Sequence, residues 1–200
     1  MHLTEWLLFL SQVPATPSSI RVNIWRKLRA AGALGLQNGV WVLPAGEEQR
    51  QFLESLLAAL IRQGASGQIL LTSSLNERVE ADILARFRSD RDEEYHEFID
   101  HCEGFLKELV RERQNEKYTF AELEESEQDL KKLKTWLQKI IKRDFRGDGL
   151  RSQAEKYYSD CRKQYDTFSR QVYLRQGVAG HSAASTTDLT NTNHEVEHDQ

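Results

Sequence analysis

The chain has 200 residues, 39% of them hydrophobic, which suffices for a packed core in one or two small domains. No apolar run reaches the length needed to span a bilayer, and Met1 to Leu10 lacks the basic start and small-residue cleavage site of a signal peptide, so a cytoplasmic protein is expected. A net charge of −4 excludes a uniformly basic polyanion binder, but the surplus acids Asp188, Glu195, Glu197 and Asp199 all lie near the C-terminus. Residues 1 to 45 instead hold Arg21, Arg26, Lys27 and Arg29 against Glu5 alone, and any electrostatic footprint for nucleic acid lies there.

Trp6 to Leu10 is a short continuous apolar run, the pattern of a strand covered on both faces. After the loop residues Pro14 to Ser19, the apolar steps Ile20, Ile24, Leu28 and Ala31 predict an amphipathic helix whose other faces carry the four cations. Gly32 ends that helix. Gly35 to Leu43 then reads as a hairpin turning at Asn38-Gly39, the dipeptide that best tolerates the positive φ such turns require. Glu47 to Gln63 repeats apolar residues at helical spacing, and Ile69, Leu70 and Leu71 form a last brief strand. Strand, helix, strand, strand, helix, strand, joined by right-handed crossovers, predicts a ferredoxin-like four-stranded sheet with both helices on one face. The other face then needs cover from the rest of the chain or from a second subunit.

From Asn76 onward proline is absent and charged residues dominate. Ser74 and Glu77 have capping-box spacing, and the stripe from Val79 to Leu109 predicts one long helix with a break near Ser89. Thr119 and Glu122 repeat the capping spacing before a heptad-like seam from Leu123 to Ile140, and a third helix carries Ala154, Tyr157, Cys161, Tyr165, Phe168 and Val172 on one side. The expected fold class is therefore α+β: a ferredoxin-like βαββαβ domain at 1–75, an antiparallel three-helix bundle at 76–176, and a disordered polar tail at 177–200.

At this level the chemistry is sparse. Cys102 and Cys161 lie on apolar stripes and form no CxxC pair, so buried free thiols are expected. His96 and His101 are five residues apart, which does not put both rings on one helix face, and no metal or other cofactor is expected. No glycine-rich phosphate loop follows a strand, no nucleophile and base are recognisable from spacing, and no helix-turn-helix stands out. Catalysis is not expected.

The runs LLFLSQVP (7–14), SSIRVNIWRKLRAAGAL (18–34) and NGVWVLPA (38–45), followed by ARFRSDRDEEY (85–95), ELEESEQDLKKLKTWLQKI (122–140) and RDF (143–145), resemble the N-terminal domain of the ChrB-type chromate-resistance regulators. More distantly, the RVxxWRxLRxxGA pattern is similar to the effector-side domain of PaaX-type repressors and to ferredoxin-like CRISPR-associated nucleases. A nuclease of that kind needs a metal-binding carboxylate at the end of the first strand, where this sequence has Ser11 and Gln12. The resemblance implies a transcriptional regulator of a chromate-efflux operon, with DNA and chromate as partners. A homodimer is the expected assembly. Two-domain members of the family carry a further C-terminal domain where this sequence has its polar tail.

On that expectation Arg21, Arg26, Lys27 and Arg29 are candidate phosphate contacts, supplying salt-sensitive affinity rather than base selection. Their competing reading is an ordinary solvated helix face, and Trp25 among them is expected to pack inward. Arg86, Arg88 and Arg91 are candidates for clamping a dianionic oxyanion such as chromate, since guanidinium forks donate paired hydrogen bonds to such ions. Ion pairing with Asp90, Asp92, Glu93 and Glu94 competes with that reading. The alternative to a DNA-binding regulator is a non-catalytic interaction or dimerisation module.

Overall fold

A computed structural model describes residues 4–13 and 18–177; the expected tail at 177–200 lies outside them except for Gly177. The elements run β1 (Glu5–Gln12), α1 (Ser18–Ala30), β2 (Leu34–Gln37), β3 (Val40–Pro44), α2 (Glu47–Arg62), β4 (Ser66–Ser73), α3 (Glu77–Gln114), α4 (Phe120–Arg143) and α5 (Arg151–Arg175). The architecture is α+β, a ferredoxin-like sheet followed by three long helices.

The strand order is β2-β3-β1-β4, with β1 paired antiparallel to both β3 and β4. Alternation along β1 sends Leu7 and Phe9 to one face, where they pack with Leu43, Ile24 and Leu28 of α1, and Leu53, Leu56 and Leu60 of α2. Trp6 points the other way, with Leu34, Val42 and Phe87. That second face is covered by the chain itself: Ile83, Leu84 and Phe87 on α3 lie across it, and the Phe87 ring stacks on Trp6 at 5.5 Å and 5°. The hairpin turns at Gly39, whose φ of +77° is the conformation glycine reaches without steric cost.

The α3 helix is continuous through Ser89, where the sequence suggested a break, and its 38 residues span about 57 Å. Its first turns cover the sheet, while Tyr95, Phe98, Cys102, Phe105 and Leu109 form a second core with Leu133, Leu137 and Ile140 of α4 and Ala154, Cys161, Phe168 and Val172 of α5. Cys102 and Cys161 are buried free thiols that face each other across α3 and α5, Cys161 Sγ donating to the Cys102 carbonyl at 3.6 Å. The neighbouring Cys161 thiol, together with burial, pushes the Cys102 thiol far above its ordinary range.

The start of α3 corrects the expected capping box. Asn76, not Ser74, is the N-cap, its side chain accepting from the Val79 amide at 3.1 Å. Ser74 instead donates at 2.5 Å to Glu80, a buried carboxylate that also accepts from Trp6 Nε1 at 2.9 Å and the Thr4 amide at 3.1 Å. Burial works to raise the Glu80 pKa, but these donors together outweigh it and hold the group at about 2, against an ordinary 4.5. The Thr119 cap of α4 agrees with the spacing, accepting from the Glu122 amide at 3.2 Å.

The sheet and the bundle are also joined where α4 ends. Gly32, at φ +80° past the end of α1, is close enough to α4 that a Cβ there would sit 3.1 Å from Cβ of Arg143. Nearby, Arg143 Nη2 donates to Glu94 at 2.5 Å and Tyr95 donates to Asp144 at 2.9 Å, fastening the end of α4 to the middle of α3. No helix among the described residues is long and apolar enough to cross a membrane.

Candidate nucleic-acid interface

Helix α1 buries Ile24 and Leu28 against the sheet, which fixes the direction of every other side chain on it. Arg21, Trp25 and Arg29 follow at steps of four and therefore share one face. Contrary to the expectation that Trp25 packs inward, it is 54% exposed. The reason is geometric: the inward stripe is already filled by Ile24 and Leu28, and Trp25 lies one residue, about 100° of helix, away from Ile24.

Trp25 stands between two grooves. One, of about 470 Å³, is lined by Ser11, Gln12, Arg21, Trp25, Asn38 and Trp41, among others. The second, of about 340 Å³, is lined by Trp25, Arg29, Gly35, Trp41, Arg86 and Asp90 together with Leu34 and Ser89. Trp41 of β3 is common to both, so the two grooves form a continuous surface with two indoles and three guanidinium groups from α1 and α3. Arg29 is tied to Asp90 at 2.5 Å and its side chain is 37% exposed. Arg86 Nη2 donates to the Gly35 carbonyl at 2.5 Å.

The four cations of α1 are thus divided. Arg21 and Arg29 flank Trp25, whereas Lys27 lines a separate groove of about 330 Å³ with Glu48, Phe52, Lys142 and Phe145. Arg26 is exposed and lines neither groove. What the sequence reading missed is the aromatic part, Trp25 and Trp41, and the approach of Arg86 to α1. The signal for Trp25 was present in its offset from Ile24; the approach of Arg86 depends on how α3 crosses the sheet.

Arg86, Arg88 and Arg91 do not converge. Arg86 turns toward β2, while Arg88 lies 3.7 Å from Asp92 and Arg91 lies 3.1 Å from Glu94. Arg91 is buried, and desolvation lowers its pKa. Its Nε and Nη1 have no hydrogen-bond partner among the described residues. Arg88 and Arg91 meet Arg143 and Arg146 around a cavity of about 20 Å³ under Trp6 and Phe87. That is room for one water-sized group, less than a tetrahedral oxyanion occupies.

The ChrB N-terminal family, described as "Protein ChrB, N-terminal", matches residues 21–178. The chain belongs to this family. It is also similar to Protein ChrB of Cupriavidus metallidurans, with 30% identity over 96 residues, a stretch that spans 48% of this chain and 29% of that relative. The ChrB N-terminal match begins within α1 and takes in the hairpin, α2, β4 and all three long helices, while β1 precedes it. No solved structure matches the chain.

Proposed function

We propose that this chain is a transcriptional regulator of chromate resistance that binds promoter DNA through the surface around Trp25. The observation that supports the reading is an exposed indole with an arginine one helical turn to either side, on a helix that projects no acid. Guanidinium groups at Arg21 and Arg29 would neutralise phosphates and release counterions, giving affinity that falls with salt. Trp25 and Trp41 would supply an apolar platform against sugars or an unstacked base. Arg86 adds a third cation from α3, and Arg26 and Lys27 lie on the adjoining faces of α1. The protein acts by binding rather than catalysis, in keeping with Ser11 and Gln12 at the end of β1. Chromate is its effector, loosening the grip on DNA. Arg88 and Arg91 are the closest match to an oxyanion clamp, and their cavity would have to open at the end of α4 to admit one.

The test is a titration of the purified chain against its own upstream duplex and a scrambled one at several salt concentrations, with and without chromate. Preference for its own DNA, with log affinity falling linearly against log salt, is the expected result. The variant Arg21→Gln/Arg29→Gln should reduce the slope by about 0.9 for each phosphate that is no longer neutralised. Chromate should weaken binding to the cognate duplex. Equal or absent binding to both duplexes would sink the proposal.

A further inference from the structure

The two edges of the sheet are treated differently by this sequence. An edge strand offers a row of unpaired N–H and C=O groups, and proteins that must stay monomeric shorten, bulge, charge or cover such edges. The β2 edge has these protections: it is four residues long, its pairing with β3 shifts between Gly35 and Gln37, and Arg86 occupies the Gly35 carbonyl. Among the described residues the β4 edge has none. It is eight residues long, paired in unbroken register with β1 from Ser66 to Ser73, and free of charge and proline along its length. No strand among the described residues pairs with its outer side.

Apolar side chains surround that edge on both faces. Leu71, opposite Leu7, belongs to the face covered by α1 and α2 but is 63% exposed. Leu70, opposite Leu8, belongs to the face under α3 and is 45% exposed. Ile61 near the end of α2, Leu75 in the turn leaving β4, and Val79 in the first turn of α3 are also exposed.

We propose that β4 is a dimerisation edge, pairing antiparallel with β4 of a second copy of this chain to make one continuous eight-stranded sheet. The occupant follows from symmetry and charge. An antiparallel edge presents the same alternation of donors and acceptors in both directions, so it is complementary to itself about a two-fold axis normal to the sheet. A strand without charge gives a charged peptide nothing to recognise, while two such strands meet with no like-charge opposition. Each face stays continuous only if residues of the same parity meet. Centring the axis on Leu70 does this, setting Leu70 against Leu70 of the partner subunit and Leu71 against Ile69 of the partner subunit, so that both exposed leucines gain an apolar neighbour. The Trp25 surface draws on α1, the β2-β3 hairpin, the end of β1 and the start of α3 but on no residue of β4, so both copies of it stay open in the dimer.

The test is sedimentation of the full chain from nanomolar to high-micromolar concentration, with hydrogen exchange of the β4 amides. The expected result is a dimer whose β4 protection rises with concentration, and a Leu70→Glu/Leu71→Glu variant with unchanged circular dichroism and self-association weakened more than about tenfold. Leu71→Lys alone, at a position already in solvent, answers the same question should the double variant lose its fold. A monomer across the whole range overturns the proposal, as does a dimer that the variants leave at full strength. Concentration-independent β4 protection in a monomer would also overturn it, assigning the edge to a segment of this chain outside the described residues.

Discussion

Arginine stands in two contrasting settings in this molecule. Around Trp25, Arg21, Arg29 and Arg86 border open grooves; at the end of α4, Arg91 and Arg143 are turned inward onto Glu94, one carboxylate shared by two guanidinium groups at 3.1 Å and 2.5 Å. Arg29 and Arg86 hold partners too, Asp90 and the Gly35 carbonyl, but at a wet surface such pairing adds little to stability, while a buried charge is strongly destabilising once its partner is removed. On the proposed reading the first set serves recognition, while the second holds the joint between sheet and bundle. The comparison breaks if surface changes unfold the chain or joint changes leave it intact.

The largest effect is expected at the joint's apolar centre. Phe87 stacks on Trp6 and meets Phe145 edge-on at 6.1 Å, and it is buried. Phe87→Ala should cost about 3–5 kcal/mol in urea unfolding. Because α3 lies in both cores, the loss should appear in the sheet and the helices together. Two separate transitions, with only the sheet destabilised, would show that α3 does not couple them.

Glu80 gives the next effect and fixes its sign. Its folded pKa of about 2 lies below the ordinary 4.5, so its stabilisation is fully present above about pH 4.5 and is lost as the pH falls toward 2. The linkage corresponds to about 3 kcal/mol. Glu80→Gln should be destabilised by about 2–3 kcal/mol at neutral pH, because its amide nitrogen, in place of one carboxylate oxygen, turns donors toward either Thr4 or the pair Ser74 and Trp6 and the ionic acceptor is lost. Chemical denaturation from pH 7 down to 2 should show a shallower acid decline in the variant than in the parent chain. Parallel curves would remove Glu80 as a source of acid sensitivity.

Much of this was legible in the sequence, for reasons that also mark where legibility ends. The run Trp6-Leu7-Leu8-Phe9-Leu10 could be read as doubly covered because both parities are apolar, and the element order then left few topologies. The Asn38-Gly39 turn and the Thr119 cap are local chemistry and could be read locally. The extent of β4 was underestimated, since only Ile69 to Leu71 are apolar and the flanking Ser, Gly, Gln and Thr are strand by virtue of pairing with β1. The spacing Ser74 to Glu77 looked like a cap, yet Ser74 is drawn to Glu80 by a network that includes Trp6, far away in sequence. In the site, helix periodicity alone separates Lys27 from Arg29 by about 200°, but what each face meets becomes visible only with α2 and α3 in place. The candidates Arg86, Arg88 and Arg91 follow one another on a single helix, and their separation reflects what each meets across α3.

The smallest effect on the fold, and the sharpest for the comparison, is expected at Trp25. Being more than half exposed, it should tolerate Trp25→Ala with a change of no more than about 0.5 kcal/mol in unfolding free energy. On the proposed reading DNA affinity should nonetheless drop by about 1–3 kcal/mol, the range for an aromatic side chain stacked on a nucleic acid. An indole neutralises no phosphate and releases no counterion, so the salt slope of this variant should match the parent's, whereas Arg21→Gln/Arg29→Gln should lower it. Fluorescence anisotropy at three or more salt concentrations separates the two. A weakened line parallel to the parent's makes Trp25 a contact and the arginines the charge; unchanged affinity would leave the indole a bystander and move the DNA-binding surface away from this face of α1.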